Sequence, residues 1–211
     1  MTIRPADKAT ASPLPEDLRR TMRIPYALRR VPESSIRTLL PPPDAPRAGD
    51  LALARVEKIG KNTSLELING RRATLHEGDV IAVVFGNRYA TLQFEGYARV
   101  TGNHCDLLSM GGLCGLVASK HDGVAEPSKL RLLGALGDGA GNQLRLRDFA
   151  VASGPRDGSA PLPRVVVVVG TSMDAGKTHT ARSLILGMRR SGIAVGALKL
   201  TGSAAGRDTY T

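Results

Sequence analysis

The stretch that most restricts what this chain can become is a valine run feeding a glycine- and lysine-containing loop. Arg164–Val169 carries five consecutive valines and leads directly into Gly170-Thr171-Ser172-Met173-Asp174-Ala175-Gly176-Lys177-Thr178. Valine is β-branched and stiff at χ1, which favours extended backbone. A valine run without polar alternation is what a parallel strand buried on both faces shows. After the loop, the spacing predicts a helix from about Lys177 to Arg190, with Ala181, Leu184, Ile185 and Met188 as its apolar stripe. Ser191-Gly192 supplies a C-terminal stop, and Ile193–Leu200 reads as a second strand. The expected unit is β-α-β, the start of a parallel sheet.

The loop has the elements of a P-loop, G-x-x-x-x-G-K-[ST], except that five residues separate Gly170 from Gly176. Glycine at 176 lets the backbone approach a phosphate closely. Successive N–H groups and the helix N-terminus form a concavity suited to anions. The nucleotide-binding candidates are Gly170, Thr171, Ser172, Met173, Asp174, Ala175, Gly176, Lys177, Thr178 and His179. Lys177 is expected to neutralise phosphate oxygens and to act in catalysis, while the Thr178 hydroxyl holds Mg²⁺. Asp174 either orients a substrate or faces solvent. Asp208 either reaches the Mg²⁺ or is an ordinary solvated aspartate.

GTSMDAGKT resembles the loop of dethiobiotin synthetase and its relatives among the P-loop proteins. Thr171, Gly176, Lys177 and Thr178 match that family's loop, and Ser172 stands where the synthetase usually has Asp. The resemblance extends to Val195-Gly196-Ala197-Leu198-Lys199 and covers about residues 164–205. It implies that Lys199, at the end of the following strand, helps bind substrate and phosphate. Strand C-termini in open α/β sheets face the ligand crevice, which agrees with that role. The partitioning and iron-carrier ATPases carry an early lysine where Ser172 stands here, which argues against that subgroup.

Upstream of this unit, Gly49 to about Val151 reads as short β-type runs divided by turns. Expected strands are Leu51–Val56, Ser64–Ile68, Arg71–Leu75, Val80–Phe85, Ala90–Phe94, Tyr97–Thr101, Leu113–Ser119, Lys129–Leu133 and Asn142–Leu146. Asn69-Gly70 is a strong hairpin signal. The pattern predicts a small antiparallel barrel or sandwich over residues 48–151. A barrel followed by this loop resembles a group of bacterial P-loop proteins with an N-terminal β-barrel. Residues 1–47, rich in Pro and Arg, read as an extended arm and linker, with a short helix around Glu33–Leu40. Residues 152–163 read as a second linker, and residues 164–211 as the start of the nucleotide-binding domain. The expected fold class is therefore an α/β P-loop unit preceded by a small all-β domain.

Charge narrows the partners. The formal net charge is +10, with +4 in residues 1–47, +1 in 48–163 and +5 in 164–211. The last value suits polyanionic phosphates. The first arises from Arg19, Arg20, Arg23, Arg29 and Arg30 and makes nucleic acid a partner to consider. Three Phe, four Tyr and no Trp leave few platforms for stacking bases, so nucleic acid is not favoured. No apolar run reaches the ~18 residues of a membrane helix. The N-terminus has no secretory h-region, so the cytoplasm is the expected compartment. Cys105 and Cys114 fit no zinc spacing and read as inert thiols, and His76, His104, His121 and His179 are scattered.

The leading functional expectation is an ATP-dependent ligase or phosphotransferase acting on a small-molecule acceptor, with Mg²⁺ as cofactor. ATP is not distinguished from GTP by these residues. The alternative is a nucleotide-hydrolysing switch or assembly factor whose β domain docks a protein or nucleic acid. No Walker-B-type strand ending in Asp appears after Leu200. The parallel sheet is accordingly expected to need a continuation or a partner, a homo-oligomer included, and the chain alone is expected to be inactive.

Overall fold

A computed structural model describes residues 10–91, 93–151, 163–171 and 175–199. The elements in chain order are β1 (Ser12–Pro13), α1 (Glu16–Thr21), β2 (Thr38–Leu40), β3 (Leu51–Lys58), β4 (Ser64–Glu66), β5 (Arg72–Thr74) and β6 (Val80–Phe85). They continue with β7 (Arg88–Tyr89), β8 (Phe94–Tyr97), β9 (His104–Leu107), β10 (Leu113–Lys120), β11 (Ser128–Gly137) and α2 (Lys177–Arg190). Nine strands form one mixed sheet in the order β1-β2-β11-β3-β6-β10-β8-β7, with β9 pairing both β10 and β11. β4 and β5 make a separate hairpin. Its turn contains Asn69-Gly70, with Gly70 at φ +77°. The side chain of Asn69 accepts a hydrogen bond from the Arg71 amide at 3.0 Å.

Strand β6 lies at the centre because its sequence, VIAVVF, can be buried on both faces, and all six residues are. It runs antiparallel to β3 and parallel to β10, where Leu113 meets Val84 and Cys114 meets Phe85. Side chains alternate across a strand, so β3 and β6 feed two cores. Ala52, Ala54, Val56, Ile81, Val83 and Phe85 enter one, with Leu107, Cys114 and Leu130. Leu51, Leu53, Val80, Ala82 and Val84 enter the other.

The second core is closed by the N-terminal segment. Leu14, Met22, Leu28, Val31 and Ile36 are all buried against it. This differs from the expected extended arm. The prolines restrict φ and remove donors, but they do not prevent the apolar residues between them from packing. The Arg23 amide donates to the Val80 carbonyl at 2.9 Å, and its guanidinium bonds Thr74 O at 2.7 Å and Asp79 at 3.1 Å. Arg19 bonds Ile36 O at 2.9 Å, and Arg29 lies over the Tyr26 ring at 4.5 Å. Several arginines of the basic arm thus hold the fold. The short helix expected around Glu33–Leu40 is one 3₁₀ turn, Glu33–Ser35, followed by strand β2.

The α/β P-loop fold class is overturned. The described chain is mostly sheet, with two α-helices, and the parallel pair among the described residues is β6–β10, far upstream of the valine run. Arg164–Val169 and Ile193–Lys199 belong to no strand. Val165, Val166, Val167 and Val169 are 61–81% exposed. A parallel strand needs a hydrogen-bonded neighbour and cover on both faces, and among the described residues the run has no such neighbour and four of its valines are exposed. A regular barrel is not clearly displayed either. β9 bridges β10 and β11, so β11, β3, β6, β10 and β9 are paired in a cycle, but β1, β2, β7 and β8 run on beyond it. The strand expected at Asn142–Leu146 is reduced to single bridges, Gly137 with Gln143 and Asp50 with Arg145. The linker expected at 152–163 lies outside the described residues except for Pro163.

Candidate functional site

The loop that carries the expected chemistry ends where α2 begins. Gly176 occupies the position before the first helical residue with φ +80° and ψ 5°. That left-handed conformation costs other residues about 1–2 kcal/mol, which is the local reason for a glycine. Open space surrounds the place where a Cβ would sit at Gly176. Its requirement is therefore conformational in the present state of the loop. The Gly176 carbonyl accepts the Thr180 amide at 2.9 Å and starts the helix.

The N-terminus of α2 has no side-chain cap and no acidic residue in its first turn. Its first amides are unsatisfied within the helix, as at any helix start. The partial positive charge there adds to that of Lys177. Lys177 is partly buried, and its stem folds back over the loop. A Cβ built on Gly170 would fall 2.9 Å from Lys177 Cγ, 3.2 Å from Lys177 Cδ and 3.2 Å from Ala175 Cβ. Gly170 is thus the glycine whose missing side chain makes room, and Gly176 the one whose backbone needs the freedom.

Thr171, Ala175, Thr178 and His179 are exposed beside these residues. The His179 carbonyl accepts the Ser183 hydroxyl at 3.1 Å inside the helix. Ser172, Met173 and Asp174 lie outside the described residues, as does Asp208. Lys199 is exposed in a stretch that forms no strand, so the strand-end geometry expected to aim it at a crevice is not met. Among the described residues, no three His, Cys, Asp or Glu side chains cluster as a metal site.

The stripe expected on α2 is present but only partly covered. Ala181, Ile185 and Met188 are partly buried, Leu184 is 40% exposed, and no residue of the helix is buried. An open groove runs along it past His179, Ser183, Leu184, Met188 and Ile193.

The sheet carries a polar cluster that the sequence reading missed. The Glu95 carboxylate accepts hydrogen bonds from the hydroxyls of Tyr97 and Ser119, the latter at 2.9 Å. The Tyr97 bond, then the Ser119 bond, hold the Glu95 carboxyl below its usual range. The same Glu95 contact raises the Tyr97 phenol. Glu95, Ser119, His121 and Tyr89 line a shallow open pocket. The i, i+2 spacing of Glu95 and Tyr97 was visible in sequence, but Ser119 arrives only through the β8–β10 register.

Cys105 and Cys114 are free and buried, and burial, followed by the Cys105 contact, pushes the Cys114 thiol up. Among the described residues, no helix is long and apolar enough to cross a membrane. No protein-family model matches the chain, and neither a curated protein nor a solved structure shows significant similarity to it.

Proposed function

We propose that Gly170–Thr178 binds the phosphates of a nucleotide, ATP in the first instance, and serves a cytoplasmic ligase or phosphotransferase that acts on a small-molecule acceptor. The observation that carries this reading is the pairing of Gly176, at φ +80° before an uncapped helix, with the Lys177 stem folded over Gly170. This arrangement puts the amides of a helix start and an ammonium group on one short loop, which is the chemistry a polyphosphate requires. The reading rests on the loop alone.

In this reading the amides at the start of α2 hold the phosphate oxygens, and Lys177 offsets their charge. The Thr178 hydroxyl supplies one ligand to Mg²⁺, whose role is to neutralise charge on the transferred phosphoryl group. Lys199 is the candidate for holding the acceptor. Stabilisation of this kind acts through charge placed in advance where charge develops. GTP fits the same phosphate chemistry.

Calorimetry with Mg·ATP and Mg·GTP tests the proposal. Loss of a charge-assisted contact in Lys177→Ala should weaken binding roughly ten-fold or more. Absence of binding to either nucleotide, or equal affinity in Lys177→Ala, overturns it. The partly exposed apolar residues of α2, Leu184 and Leu186 among them, favour a second reading, in which nucleotide binding controls docking of a protein partner. Turnover stimulated by a protein and not by any small metabolite would select that reading.

A further inference from the structure

Two nucleophilic side chains of the sheet take no part in the proposed nucleotide site. Cys105 in β9 and Cys114 in β10 are free thiols, and both are buried in the core that Ile81, Val83 and Phe85 enter. A buried cysteine by itself behaves as a small hydrophobe. These two differ because they meet. β9 and β10 run antiparallel, with Leu107 opposite Cys114 and Asp106 opposite Gly115. Side chains two apart on a strand share a face, so Cys105 lies on the face of Leu107, diagonal to Cys114. The two thiols are close enough to hydrogen-bond.

The contact falls at a weak seam. β9 joins β10 to β11 and so completes the cycle of β11, β3, β6, β10 and β9. It is held to β11 by four residue pairs, from Ser128 opposite Leu107 to Arg131 opposite His104. It is held to β10 by two. Cys105 sits opposite Leu130 of β11, and Cys114 opposite Phe85 of β6. A covalent link between the two sulfurs would therefore fasten β9 across the side on which it has fewer ladder bonds.

We propose that Cys105 and Cys114 close to a reversible disulfide when the chain meets a small peroxide, and that this bond holds β9 against β10. One thiolate attacks a peroxide oxygen, the O–O bond breaks, and the sulfur becomes a sulfenic acid as hydroxide leaves and takes up a proton. The second thiolate attacks that sulfur, the S–S bond forms, and the sulfenic oxygen leaves as water. In sum, two thiols and one hydrogen peroxide give one disulfide and two waters, the sulfurs being oxidised and the peroxide oxygens reduced. The thiolate is the reactive form. Burial, followed by the Cys105 contact, pushes the Cys114 thiol up, so reaction waits on local opening of the sheet. The diagonal offset is near the outer limit of what a disulfide spans without backbone movement. A bond drawn across it is strained and readily reduced, which is the character of a regulatory disulfide rather than a structural one. None of this depends on what the Gly170–Thr178 loop binds.

Alkylation of thiols in denaturant, read by the mass of the intact chain, tests the proposal. The untreated chain should take up two alkyl groups, one on each cysteine. A chain exposed to hydrogen peroxide while folded should take up none, and dithiothreitol should restore both. Non-reducing electrophoresis should show the oxidised product as a single chain. Hydrogen exchange at the amides of β9 should be several-fold slower in the oxidised chain, because the staple limits opening of that strand. These measurements use the native sequence, so none depends on a variant that must fold. Full alkylation after peroxide, oxidation that dithiothreitol does not reverse, a bond between chains, or unchanged exchange in β9 would each overturn it.

Discussion

The sheet of residues 10–151 and the loop–helix segment of residues 163–199 are built from similarly apolar sequences and end in opposite states. Val80–Phe85 is buried throughout, whereas four of the valines in Val165–Val169 are more than 60% exposed. Both runs are β-branched and lack alternation. The difference is the company each keeps. Val80–Phe85 has β3 and β10 beside it and a core on each face, one of them closed by the N-terminal segment. Among the described residues the valine run has neither. An apolar run states a need for cover without saying what meets it.

The largest expected contrast follows from that difference. Phe85→Ala should destabilise the sheet by about 3–5 kcal/mol, because it opens a cavity in a closed core. Leu186→Ala on α2 should change stability by less than ~0.5 kcal/mol, as its side chain is half exposed. Urea unfolding followed by circular dichroism measures both. A cost for Leu186→Ala comparable to that of Phe85→Ala would break the comparison.

A smaller and local effect should come from Gly176→Ala. The left-handed backbone there penalises alanine by about 1–2 kcal/mol. If the loop must keep this shape to bind phosphate, Mg·ATP affinity should fall roughly ten-fold while the unfolding midpoint of the sheet stays put. An unchanged affinity would mean that the loop binds in another conformation.

Lys199→Ala sharpens the assignment of the acceptor. In the proposed enzyme it should lower acceptor-dependent turnover and leave nucleotide affinity intact. It should also leave stability within ~0.5 kcal/mol, since the residue is exposed. Unaltered turnover would remove Lys199 from the site.

The smallest effect concerns the turn after β11. Asp138 accepts hydrogen bonds from the Asn142 side chain at 3.0 Å and from the amides of Asn142 and Ala140, each at 2.8 Å. These contacts, the Asn142 side chain first, hold its carboxyl below the ordinary aspartate value. A depressed folded pKa means stability that is present above the unfolded pKa and lost as pH falls through the folded one. Carbon-detected NMR titration should find Asp138 titrating on the acid side of normal, moving upward in Asn142→Ala. No movement would show that the turn's geometry does not depend on the pair.

Particular elements show where local sequence sufficed. The runs at Leu51–Val56, Val80–Phe85, Leu113–Ser119 and Lys129–Leu133 all fall within strands, because β-branched and apolar patterning is carried by the residues themselves. The Asn69-Gly70 turn and the helix from Lys177 to Arg190 follow from backbone preferences and spacing over a few residues. So does the glycine at 176. Of the candidate site, the features legible in advance were those set within one turn of chain, namely Gly170, Gly176 and Lys177.

What tertiary structure alone decided was partnership. Strand β9 has little apolar pattern of its own, and pairing with β10 and β11 makes it a strand. Ser119 reaches Glu95 only through the β8–β10 register, and the parallel β6–β10 pair joins residues nearly thirty positions apart. The arginine-rich N-terminus reads as a solvated arm until Leu14, Leu28 and Ile36 are seen closing the second core. The valine run reads as a buried parallel strand until four of its five valines are seen to be exposed. Dihedral preference and periodicity act over a few residues and are written in the sequence directly. Burial and strand pairing depend on which distant segment arrives, and the chain as a whole settles that.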